Sequence, residues 1–364
     1  MACGLSILLV AANSTRAATP AVHPAVHPAD SLAATPGRID SRLTDPLFAP
    51  TDSARARPPR RSEYPVPGGG TYIFERPRPF RFVANIGRDF AAVPRATFRR
   101  ERVPLIAGVL TSSFILWGAD EPILDGAKWL GRKLNLSTRS TQRTLLKVPL
   151  RIGKGKPIPL EFNVPDNLNS TFYYLGDGWT HISITGAFWA YGLIGSDNRA
   201  AQTASQLTEA ILATGITVQA IKRTTGRESP YTTTYPGGRW RPFPNQITYT
   251  NNVPFYDAYP TGHMATAMAT VTVIADNYPE YRFVRPVGYG LIGLLGYAML
   301  NNGVHWASDY PLGLAIGWGF AKMAVARGRR EVPAPGSLGA HRAARRGELT
   351  AGPGPGGVAL RYRW

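Results

Sequence analysis

The chain of 364 residues has one cysteine, Cys3. No intramolecular disulfide, cysteine metal cluster or thiol nucleophile is therefore available to its folded part. Acidic residues are also scarce: 23 Asp plus Glu stand against 41 Lys plus Arg, a formal net charge of +18. That imbalance favours anionic partners such as phosphorylated substrates, acidic lipid headgroups or nucleic acid. No helix-turn-helix, zinc finger or aromatic RNA-binding signature accompanies the charge, which disfavours nucleic acid. Long hydrophobic runs are missing too. Most apolar runs are nearer about 15 residues than the roughly 20 that span a bilayer, and mean hydropathy is −0.14. The expectation is a buried helix bundle, exported or membrane-attached, with residues 284–300 the best spanning candidate. Histidine is sparse: of six in the chain, His181, His263 and His305 fall in the region of folded composition.

The 32 prolines and 38 glycines crowd into both ends, which marks tails around one compact region. An apolar run, Leu5-Ser6-Ile7-Leu8-Leu9-Val10-Ala11-Ala12, resembles the hydrophobic part of a secretory signal with cleavage near Ala17 or Ala18, although a basic n-region is absent. Residues 1–18 are thus expected to direct export to the cell envelope, periplasmic or membrane-associated. Residues 19–70, rich in Ala, Pro, Arg and Ser and containing His23 and His27, bury too little apolar surface to offset ordering entropy and read as a disordered linker. In 71–102, Tyr72-Ile73-Phe74 and Phe80-Arg81-Phe82-Val83 read as short β-like pieces lying on the core. A helical domain is expected over 103–330 and a basic Pro/Gly-rich tail over 331–364, the latter ending in a strand-like alternation from Val358. Within the domain, helices are predicted at 103–117, 177–194, 200–222, 262–276, 284–300 and 310–326. The basic segment 128–156 is either an amphipathic element on an anionic surface or a solvated helix face. Residues 226–259 lack helical period, and an irregular stretch this long is usually functional.

Chemistry concentrates in two places. In Pro260-Thr261-Gly262-His263, Thr261 is a candidate N-cap for the helix that follows. Gly262 and His263 would then sit in the first turn, where backbone N–H groups and the helix dipole favour an anion. Later come His305 and Asp309, four residues apart, with Pro311 behind them. Proline fits best in the first turn of a helix, so Asp309 should cap the last helix with His305 in the preceding turn. A carboxylate beside one imidazole nitrogen fixes the tautomer and makes the other nitrogen more basic, as a histidine nucleophile requires. Each half alone is a common local motif, a helix cap or a polar contact; His181 reads as a packed helix histidine.

In this order, and behind a basic loop, these residues resemble the superfamily of type 2 phosphatidic acid phosphatases, bacterial acid phosphatases and vanadium haloperoxidases. Its blocks are Lys with Arg-Pro after six residues, then Pro-Ser-Gly-His, then Ser-Arg followed by His and Asp. Lys222 and Pro230 match the first block, Pro260, Gly262 and His263 the second with Thr261 for Ser, and His305 and Asp309 the third. The resemblance implies an all-α helical bundle of that kind and a metal-independent phosphatase without cofactor, acting on a phosphorylated small molecule or lipid phosphate. It further implies that His305 is the nucleophile, Asp309 its orienter and His263 the acid and base, while Lys222, Thr261 and Gly262 hold phosphate oxygens. Ser229 stands where the first block has Arg, and Ala298-Met299 where the third has Ser-Arg. Arg227, Arg239 or Arg241 could replace the missing guanidinium groups. If none does, the expectation becomes a weak or inactive phosphate-binding member of the fold.

Overall fold

The computed structural model describes residues 60–67, 69–150, 158–334, 348–354 and 357–363. The expected signal segment 1–18, His23, His27 and most of the 19–70 linker lie outside the described residues. Along the chain the elements are β1 (Arg61–Val66), β2 (Gly70–Glu75), α1 (Arg81–Thr97), α2 (Val103–Gly118), α3 (Asp120–Lys133), β3 (Gln142–Leu150) and β4 (Ile158–Pro165). They continue as α4 (Leu168–Tyr174), α5 (Gly178–Ile194), α6 (Asn198–Thr225), α7 (Gln246–Asn251), α8 (Gly262–Asn277), α9 (Val284–Asn301), α10 (Tyr310–Gly328), β5 (Arg329–Val332), β6 (Glu348–Gly354) and β7 (Gly357–Arg363). The fold is an all-α helical bundle with short antiparallel strand pairs at its margins.

Its centre is the packing of α6, α8 and α10. Leu207, Ala210 and Ala213 from α6 meet Ala269 and Val273 from α8 and Phe320, Ala321, Ala324 and Val325 from α10, all buried. Alanine at these spacings lets the backbones approach closely, and each fully buried large apolar side chain contributes about 1.5–3 kcal/mol. Contact is closest at Gly317, where an added Cβ would stand 1.9 Å from the Ala265 carbonyl oxygen. The long α6 starts under Asp197, whose carboxylate accepts from Ala200 N–H at 2.9 Å, and ends at Gly226 with φ +59°.

Three expectations need correction. Phe80-Arg81-Phe82-Val83 is no strand but the start of α1, because Ile86, Phe90 and Val93 at helical spacing pack against the core cluster. The last part of the expected linker forms β1, which pairs with β2, and β2 pairs in turn with β5 directly after α10. The linker end is thus ordered by its neighbour β2, whose Phe74 is fully buried and whose other edge is held by β5. The basic segment 128–156 is split: α3 ends at Lys133, and Gln142–Leu150 pairs antiparallel with Ile158–Pro165.

α2 has no buried residue although its sequence is almost wholly apolar, and α5 buries only His181 and Gly192. Among the described residues no single helix is long and apolar enough to cross a membrane; α2 and α3, bent by 69° at their junction, could do so only as a pair. That bend places Asp120 in the interior, 1% exposed.

Candidate active site

The turn before α8 begins with a cis Tyr259–Pro260 peptide, and Thr261 occupies the N-cap position. Its hydroxyl does not cap the helix; it points to Met299 Sδ at 3.6 Å. The first-turn amides of α8 thus receive no side-chain cap and remain donors for an anion. Thr261 N–H donates to the Asp309 carbonyl at 3.2 Å, tying this turn to the one that leads into α10.

His305 is 4% exposed, and its Nδ1 lies 2.6 Å from the Ala258 carbonyl oxygen. A carbonyl can only accept, so Nδ1 carries a proton, and in the neutral ring the lone pair is then on Nε2. Asp309 Oδ2 is farther from Nδ1, at 3.5 Å, and accepts from the Trp306 amide at 2.8 Å. The carboxylate supplies negative potential behind the imidazole, while the Ala258 carbonyl sets its tautomer. Beneath both, the Trp306 indole is buried and donates to the Glu228 carbonyl at 2.8 Å.

The His263 ring centroid is 6.3 Å from that of His305 and 4.8 Å from that of Tyr173. Gly176, in the turn between α4 and α5, permits this closeness, since a Cβ there would meet His263 Cβ at 2.7 Å. Burial, then the neighbouring His305 and Lys222, push the His263 pKa down to about 3. Lys222 comes from the last turn of α6 and pairs with Asp257 Oδ2 at 3.2 Å. Among the described residues no three His, Cys, Asp or Glu side chains gather as a metal-ligand set. Two surface clefts of about 420 and 320 Å3 lie elsewhere, and neither is lined by His263 or His305, so concavity alone would misplace the chemistry.

Arg227 does not act as the expected replacement cation. It is fully buried, and its guanidinium donates to Ser308 Oγ at 2.7 Å, Asp309 Oδ1 at 2.6 Å, Asp120 Oδ2 at 2.7 Å, and twice to the Gly237 carbonyl. A guanidinium has five N–H groups, and these partners use all of them. Asp120 also accepts from the Ser308 amide at 2.9 Å and its hydroxyl at 2.6 Å. Arg241 pairs with Glu228 at 2.5 Å, and Arg239 stacks over Tyr235 at 3.8 Å. Ser229 is buried with its amide on the Pro254 carbonyl, and Met299 is wholly enclosed.

Residues 203–331 match the family model described as the PAP2 superfamily. This region is similar to that superfamily. It holds every residue expected at the site. LpxE of Aquifex aeolicus, a solved structure, is similar at 18% identity over 43% of this chain and 83% of that one, with a TM-score of 0.34. The transmembrane PAP2-type phosphatidylglycerolphosphate phosphatase of Bacillus subtilis is similar at 12% identity over 61% and 94%, with a TM-score of 0.35. No curated protein matches the sequence significantly.

In this region the fold gathers His305, His263, Asp309, Lys222 and Gly262, turns the Thr261 hydroxyl onto Met299, and withdraws Arg227 into a buried ion network. The sequence did not point to Asp120, Ser308, Asp257 or the Ala258 carbonyl. Asp120 lies 188 residues from its partner Ser308, outside the matched region, and any residue type can present a backbone carbonyl.

Proposed function

We propose that this protein is a phosphatase that hydrolyses phosphomonoesters, lipid phosphates among them, through a phosphohistidine at His305. The observation that carries this reading is the His305 tautomer: with Nδ1–H held by the Ala258 carbonyl at 2.6 Å, Nε2 has a free lone pair, and His263 is near enough for one phosphoryl group to reach both rings. Nε2 attacks phosphorus, forming the P–N bond as the bond to the ester oxygen breaks. Anionic phosphate beside His263 favours its protonated form, and that proton passes to the leaving oxygen. His263 then takes a proton from water, whose oxygen attacks phosphorus and breaks the P–N bond. Lys222 and the Gly262 amide face the non-bridging oxygens, where transferring phosphoryl charge needs stabilisation; Thr261, with its hydroxyl on Met299 and its amide on the Asp309 carbonyl, holds the turn instead of the phosphate. Asp309 offsets the charge that His305 acquires on attack.

A second reading is favoured by Ser229 and Met299, which put no guanidinium at two superfamily positions: a weakly active or inactive phosphate-binding member. Assay of the purified protein on p-nitrophenyl phosphate and phosphatidate beside His305→Ala separates the two. Turnover that the variant loses by about a thousandfold or more, with acid-labile phosphate on the wild type, is the expected result. Equal and negligible hydrolysis by both proteins would leave the binding reading standing.

A further inference from the structure

The cationic inventory of the site is small. Lys222, 7% exposed at its side chain, is held by Asp257, 26% exposed, at 3.2 Å. Arg227 is shared between two carboxylates, Asp120 and Asp309, and spends its remaining donors on Ser308 and a carbonyl. Arg241 is taken by Glu228. At positions 229 and 299 the chain has a buried Ser and a buried Met. One lysine and one aspartate cancel, and the Arg227 group with its two aspartates is net negative. Such a cradle has neutral donors, namely the α8 amides and the imidazoles, while Lys222, Arg227 and Arg241 are each offset by carboxylates and Arg239 lies exposed on Tyr235, which leaves a doubly charged phosphoryl group poorly matched.

We propose that the phosphate cradle accepts a phosphoryl group bearing one negative charge, and that Asp257 sets this limit by neutralising Lys222. The proposal rests on the phosphatase reading above and specifies the charge of the phosphoryl group it takes. The shared chemistry is a singly charged phosphoester, which has two sources: a monoester in its protonated form, or a diester. Asp257 touches Lys222, not the reacting atoms, so it is a specificity-determining residue. It immediately precedes Ala258, whose carbonyl holds His305, so the loop that orients the nucleophile also fixes the charge of the cradle.

The test compares kcat/KM for p-nitrophenyl phosphate and bis(p-nitrophenyl) phosphate at about pH 5 and about pH 8. A phosphomonoester gains its second charge near pH 6, whereas a diester does not change over this range. Lys222, Asp257, His263, His305, Asp309 and Tyr173 face both substrates alike, so what they contribute largely cancels in the ratio. For the wild type the monoester-to-diester ratio should fall about tenfold or more from the lower pH to the higher. In Asp257→Asn, which frees Lys222, the fall should be several-fold smaller. Monoester preferred at the lower pH identifies the protonated monoester as the source; diester preferred at both identifies the diester. A wild-type ratio that stays level or rises with pH overturns the charge limit while leaving the phosphatase reading intact. An unchanged fall in Asp257→Asn removes Asp257 from the account. The wild-type ratio needs no variant, so the charge limit is tested even if Asp257→Asn does not fold. No hydrolysis of either ester, and no phosphate on His305, removes the phosphatase reading and this inference together.

Discussion

Arg227 shows how one side chain can be read correctly for charge and wrongly for role. Its place near the motif lysine suggests a phosphate ligand, yet the structure surrounds it with Asp120, Asp309, Ser308 and the Gly237 carbonyl. Removing one member of such a network leaves buried charges uncompensated. Arg227→Met should therefore cost about 3–5 kcal/mol of stability, read by urea denaturation, and should lower turnover because Asp309 loses its anchor. Histidines give a second prediction. Burial lowers the His181 pKa to about 4, and burial with neighbouring cations lowers that of His263 to about 3. Unfolded, both take up a proton near pH 6.5, so the unfolded state binds more protons below that value. Stability is full above about pH 6.5 and declines as pH falls towards the folded values. For His181, which is 3% exposed, the loss approaches about 3 kcal/mol by pH 4. His181→Leu should flatten that slope in denaturation curves at pH 7 and pH 4.5.

Several helices were legible because their apolar runs are long and bounded by turn residues. Asp177 and Asp197 cap α5 and α6 as their positions before those helices suggest. What could not be read locally was pairing: β1, β2 and β5 form one sheet from opposite ends of the described bundle, and α1 takes its helical form by packing Ile86, Phe90 and Val93 on a core supplied by α6, α8 and α10. Thr261 holds the expected N-cap position, yet its hydroxyl serves Met299, a contact that exists only because α9 passes beside α8. Helix contact at α8 and α10 also positions the chemistry, since His263 opens one and Asp309 leads into the other. Gly317→Ala would drive a methyl into the Ala265 carbonyl. The two helices would have to separate, at a cost of about 1–3 kcal/mol, and His263 would shift relative to Asp309. A lower melting temperature with a reduced kcat is the expected outcome; an unchanged melting temperature would mean that the contact is slack.

At the scale of the molecule, charge and exposed apolar surface point to the same kind of environment. The chain carries a formal charge of +18, and Phe114 and Ile115 on α2 and Ile194 at the end of α5 are 70, 64 and 87% exposed. Apolar side chains on helix surfaces, together with an excess of cationic residues, suit an anionic lipid surface. Co-sedimentation with vesicles should be stronger for anionic than for zwitterionic lipid, should weaken with salt, and should drop several-fold in a Phe114→Asp, Ile194→Asp protein. From the sequence by itself came the superfamily motifs, the helical core and the identity of His263, His305 and Asp309, because these depend on residue type, spacing and helical period, all of which are local. The tertiary structure alone decided which cations remain free, which atom sets the His305 tautomer, and where Asp120 lies. Those depend on ion pairs and carbonyl contacts between segments far apart in the chain, and local pattern carries no information about them.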